Sequence, residues 1–195
     1  MKILVIAEHN NEKVKASTFS TINAASQIDQ NIDVLVVGSD CNNVTNELLN
    51  TQYIKKILLI DDTKFQNPIA ENISKIITSC AEEYTHILAP ASTFGKNIMP
   101  RVAALLDVAQ ISDIIKIEGE DTFVRPIYAG NALATVQSHD SKKVITVRPT
   151  SFDAVSKEGG NGEIQKLDLD IDISNVEFIG REENKSDRPE LGSAR

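Results

Sequence analysis

Four short apolar runs carry no alternation of polar and apolar residues: Ile3 to Ala7, Ile32 to Gly38, Ile57 to Ile60 and Ile87 to Ala89. A strand with one wet face alternates, whereas an uninterrupted run belongs to a strand covered on both faces, as in parallel sheets. Segments of helical spacing separate the runs. From Lys15 to Ile28, the residues Phe19, Ile22, Ala25 and Ile28 share one stripe. Ile69 to Glu83 carries Ile69, Ile73, Ile76, Ile77 and Cys80, with Asn67 as N-cap and Pro68 as first helical residue. Asn43 to Asn50 is a shorter, weaker helical crossover. This βαβ alternation predicts an open, mainly parallel sheet with helices on both sides.

After Asp107 the pattern changes. Ile111 to Ile117, Thr122 to Tyr128, Ala132 to Ser138 and Val144 to Arg148 are strand-like with no helix between them, so antiparallel strands are expected to close the domain. Gly130-Asn131 marks a hairpin, and Pro126, which lacks an amide hydrogen, places its strand at an edge or a bulge. Ser156 to Gly162 reads as a flexible turn, with a further hairpin from Ile164 to Ile173 and Val176 to Ile179. The expected division is an α/β domain over 1–182 and a charged linker over 183–195.

Several function classes fall away. No apolar run approaches the ~20 residues of a membrane span. MKILVIAEHN reads as a first strand, without a signal-peptide cleavage site, so the expected setting is cytoplasmic. A net charge of −8 opposes general nucleic-acid binding, which needs clustered Lys and Arg. Cys41 and Cys80 form no CxxC pair, and His9, His86 and His139 share no metal-like spacing. GxSxG and GxGxxG are both absent, and no nucleophile or acid–base constellation stands in their place.

Two features remain. Ala91 to Asn97 follows the fourth strand, where an open α/β sheet presents amides to a ligand; together with Glu8-His9 it could form an adenine-nucleotide site. The helix that follows, with Asn97 as expected N-cap and Pro100 in its first turn, has Ile98, Val102, Leu105 and Leu106 as its core stripe. Met99, Ala103 and Ala104 make the rest nearly apolar, which predicts cover on more than one side. Arg101 inside it must find an acceptor, either within the domain or across an interface. Arg125 and Tyr128, flanking Pro126, are either ordinary strand residues or part of a partner contact, for which both residue types are favoured.

KILVIAEH, ILAPASTFGKNIMPRVAALLDVAQISDI, TFVRPIYAGNALATVQS and KVITVRPTSFD closely resemble the alpha subunit of electron-transfer flavoproteins, and SDRPELGSAR is similar to that family's interdomain linker. The resemblance implies a Rossmann-like three-layer α/β/α domain with a mainly parallel sheet, adenine-nucleotide-hydrolase-like, in a heterodimer of alpha and beta subunits. The dimer holds one FAD and a structural AMP, takes electrons from acyl-CoA dehydrogenases and passes them to a quinone oxidoreductase. It further implies that the flavin contacts lie mainly in a second domain, which this sequence does not contain, and that AMP is held by the beta subunit. No cofactor is therefore expected on this chain, no catalytic residue is assigned, and Arg101, Arg125 and Tyr128 are expected at the beta-subunit contact. The alternative is an independent adenine-nucleotide-binding module.

Overall fold

The computed structural model describes residues 1–169, 171, 176, 178–180 and 182. The expected linker 183–195 and part of the expected Val176 to Ile179 hairpin lie outside the described residues. The four predicted runs are strands β1 (Ile3–Ile6), β2 (Ile32–Gly38), β3 (Ile54–Asp61) and β4 (His86–Pro90). Between them lie helices α1 (Ala16–Ser26), α2 (Asn42–Leu49) and α3 (Ala70–Cys80). Helix α4 (Thr93–Leu105) follows, and then strands β5 (Gln110–Ile114), β6 (Lys116–Ile117), β7 (Thr122–Ile127), β8 (Ala132–Gln137), β9 (Lys143–Val147) and β10 (Glu163–Lys166).

Seven strands form one sheet in the order β10-β3-β2-β1-β4-β9-β5, and all its pairings are parallel. Side chains of successive strand residues point to opposite faces, so a fully apolar run fills two cores at once. Ile3 and Val5 join Phe19 and Ile22 of α1 on one face. Leu4 and Ile6 join Ile73, Ile77 and Met99 of α3 and α4 on the other.

The expectation that the later strands are antiparallel holds for only three of them. β6, β7 and β8 form a small antiparallel sheet, whereas β5, β9 and β10 return to the parallel one. The short apolar runs of β5 and β9 fit either arrangement, and only long-range pairing separates them. Phe123 of β7 is fully buried in the α1-side core and pins the small sheet to the large one. Pro126 lies in a central strand by order, but β6 pairs only with Phe123 and Val124, so at Pro126 β7 has a neighbour on one side alone.

The segment Ser156 to Gly162 carries the chain from β9 across the α1–α2 layer to the opposite sheet edge. Val155 N donates to the Phe19 carbonyl, and the amides of Gly160 and Gly162 donate to Asn50 and Leu49 carbonyls at the end of α2. Thr18, Ser20 and Thr21 of α1 are buried beside its apolar stripe.

Two caps differ from expectation. Helix α3 begins after Ile69, whose extended backbone serves as N-cap without a side-chain bond, not at Asn67-Pro68. Helix α4 begins after Ser92, whose hydroxyl accepts from Gly95 N, so Asn97 lies inside it and Pro100 stands mid-helix. Pro100 is solvent-exposed, where water can bond the carbonyl left free one turn back. The stripe is also rotated: Ile98, Met99, Val102 and Ala103 are buried, whereas Leu105 is 55% exposed.

Candidate functional site

Open parallel sheets take ligands in the crevice beyond the carboxyl ends of their strands, where the order reverses, here between β1 and β4. In this chain the crevice is filled. The residues after β1 fold back over it, with an isolated bridge between His9 and Val14. Thr18 accepts from Glu8 N and donates to the Glu8 carbonyl, while Ser17 donates to the Glu8 carboxylate. His9 lies within: its Nδ1 accepts from Asn11 N at 3.1 Å. Burial drives the His9 pKa down to about 4, partly opposed by a bond to the Val37 backbone. A Cβ on Gly38 would sit 2.3 Å from Asn11 Oδ1 and 2.6 Å from Cys41 Sγ, so a larger residue where β2 ends would have to displace these side chains.

The cavity left between Ile6, Ala7, His9, Leu35, Val37, Pro68, Ile73 and Phe94 measures about 20 Å³. That is room for one water, against the ~300 Å³ or more of small-molecule sites. In the Ala91 to Asn97 turn two of the amides at the start of the helix are already engaged. Gly95 N and Lys96 N are spent on the Ser92 hydroxyl and carbonyl. A Cβ on Gly95 would lie 2.0 Å from the Pro90 carbonyl oxygen, so glycine here serves strand–helix packing.

The remaining polar groups are chiefly structural. Tyr84 donates to Asp33 at 2.7 Å beneath the sheet, and Lys2 pairs with the same carboxylate at 3.3 Å. Burial, then the bond to Asp33, drives the Tyr84 phenol far up. His86 contacts the Glu120 carbonyl at 2.6 Å and the Thr85 hydroxyl at 2.9 Å. Burial raises both cysteine thiols; Cys41 is enclosed and Cys80 half-buried. Among the described residues no group of three His, Cys, Asp or Glu could hold a metal ion, and no helix is long and apolar enough to cross a membrane.

Sequence reasoning missed the fork of Arg148 on Asp113, where Nε and the terminal nitrogen each donate to one carboxylate oxygen. Asp113 has φ +60°, and the β5–β9 register shifts between Ile111 and Ile114. No local pattern marks such a pair, because its members are 35 residues apart.

The three expected contact residues do not converge. Arg101 is 48% exposed and pairs with Glu71 at 2.6 Å, so its charge is answered within the domain, by α3. Tyr128 and Arg125 lie on the β7–β8 hairpin. Its connection runs through Tyr128, Ala129 and Gly130 at φ +50°, +54° and +93°, three successive left-handed residues of which two carry side chains. Each such side chain costs on the order of 1 kcal/mol. The turn holds Tyr128 at 79% exposure beside Leu133 at 63%.

The fold is thus an open α/β domain whose switch-point crevice is occupied by its own side chains. Residues 3–172 match the family model described as electron transfer flavoprotein domain, and the chain belongs to that family. It is 48% identical to the electron transfer flavoprotein subunit alpha of Pseudomonas aeruginosa over 195 residues, all of this chain and 63% of that protein. It is 44% identical to the subunit of the same name from Bradyrhizobium diazoefficiens, covering 62% of it. To the mitochondrial subunit alpha of Dictyostelium discoideum it is 43% identical over 98% of this chain and 59% of that protein. The chain therefore spans about three fifths of the length of these relatives.

Proposed function

We propose that this chain is the docking and scaffold domain of the alpha subunit of a heterodimeric electron carrier. The observation that carries the reading is the likeness to alpha subunits along the whole chain. In this reading a beta subunit completes the particle. One FAD accepts electrons from acyl-CoA dehydrogenases and yields them to a quinone oxidoreductase, while AMP resides on the beta subunit. Residues 183–195 lead on to the flavin-holding part.

The filled crevice supports the scaffold role against an independent nucleotide module. The hairpin tip, with Tyr128 and Leu133, supports the beta-subunit contact. Arg125 belongs to that contact, whereas Arg101 is already paired with Glu71 and adds little to it.

The test is assembly of the alpha and beta subunits, followed by addition of an acyl-CoA and its dehydrogenase under anaerobic conditions. Bleaching of the flavin absorption is expected. A flavin that stays oxidised with every dehydrogenase supplied would end the electron-carrier reading. Tyr128→Ala should weaken the association of the two subunits about tenfold or more, as loss of an aromatic anchor does. Arg101→Ala should leave it within about threefold, as expected of an exposed ion pair. Calorimetry of the chain alone with AMP or ATP should give no heat of binding; micromolar affinity would instead restore the nucleotide-module reading.

A further inference from the structure

The inner face of the β7–β8 hairpin carries a charge that this domain leaves unanswered. Alternate residues of a strand share a face, so Arg125 lies on the same side as Phe123, which is buried in the α1-side core. Phe123 marks where this face is covered by the body of the domain. Arg125 stands one step further out, opposite Ala134, on the wall of a groove of about 380 Å³. Gln110 and Ile111 at the free edge of β5, Val136, His139 and Asp140 complete that wall.

Arg125 Nε is shielded from solvent and has no hydrogen-bond partner, the only side-chain nitrogen or oxygen so placed among the described residues. Asp140 is the carboxylate that lines the groove with Arg125, and like two other aspartates of the domain it already accepts hydrogen bonds. Asp140 accepts from Ala109 N, Asp121 from Gln137 and Thr122, and Asp113 from Arg148. A desolvated guanidinium nitrogen without an acceptor is costly, and a carboxylate matches its planar fork better than any other protein group.

We propose that an Asp or Glu side chain of the beta subunit enters this groove and accepts from Arg125, so that the partner supplies the carboxylate that the domain lacks. The inference rests on the beta-subunit contact described above. It adds the chemistry of the contact: the exposed tip binds by apolar area, and the groove behind it reads a negative charge. Charge complementarity selects this occupant, since Arg125 Nε has no acceptor while Asp140, the carboxylate in the same lining, is turned to the Ala109 amide.

Three variants of the alpha subunit test it in the complete heterodimer, with subunit dissociation followed on dilution at graded salt. Arg125→Gln should weaken association at least about tenfold and flatten its salt dependence. The melting temperature of the free alpha subunit should not fall, because Arg125 makes no bond there. Arg125→Lys places an amine in the groove, and zero-length carbodiimide coupling should then join that amine to one Asp or Glu of the beta subunit, identifiable by peptide mass spectrometry. Tyr128→Ala reports on the contact itself. If Tyr128→Ala weakens the dimer but Arg125→Gln does not, the carboxylate is refuted and the contact stands. Coupling only to residues of the alpha chain also refutes it. If neither variant weakens the dimer, the contact reading fails and takes this inference with it.

Discussion

His9 offers a quantitative test of the closed crevice. In the folded chain its imidazole is held neutral, with a pKa of about 4, because burial penalises the charged ring. Protonation would also turn Nδ1 from acceptor to donor and set it against the Asn11 amide it now accepts from. In the unfolded chain the ring titrates near 6.5. Between these values the unfolded state binds the extra proton, so stability rises with pH. The contribution of His9 is fully present above about 6.5, declines as the pH falls towards 4, and changes no further below that. Across the whole window it amounts to ~3 kcal/mol, and from pH 7.5 to 5.5 to ~1.3 kcal/mol.

The assay compares urea unfolding of the wild type and His9→Gln at pH 7.5, 6.5 and 5.5. The variant can be less stable throughout, since glutamine fills the crevice less well. Its loss from pH 7.5 to 5.5 should nonetheless be smaller than that of the wild type by ~1.3 kcal/mol. His86, which burial also holds below its ordinary pKa, contributes equally to both proteins and cancels in the difference. Parallel pH profiles for the two proteins would refute a neutral, half-buried His9 and reopen the crevice to a ligand.

Gly95→Ala should destabilise the domain by ~3 kcal/mol or abolish soluble expression, since its methyl group meets a backbone carbonyl at 2.0 Å; chemical denaturation measures this. Phe123→Ala should cost ~3–5 kcal/mol and raise amide exchange in β6–β8 before the seven-stranded sheet, because this ring anchors the small sheet in the core.

The central half of the architecture was legible in the chain because its signals are local. An apolar run without alternation means a doubly covered strand, and β1 to β4 obey this closely. Helix positions were legible for the same reason, whereas their starts were misjudged. Asn67-Pro68 and Asn97 each satisfy the local rules for a helix start, yet strand–helix packing moved the starts to Ala70 and Thr93. The rotated stripe of α4, with Leu105 in solvent, follows from the same packing.

By itself the sequence determined the α/β class, the first four strands and the hairpin, which rest on spacing within short segments, and the family, which rests on the resemblance of long blocks. Tertiary structure alone decided four things: the return of β5, β9 and β10 to the parallel sheet, the closure of the switch point over His9, the pairing of Arg101 with Glu71, and the isolation of Arg125. Each depends on groups far apart in the chain, and no local pattern encodes whether a partner lies within reach. Arg101 and Arg125 look alike in the sequence; the fold gave one of them a carboxylate and left the other without.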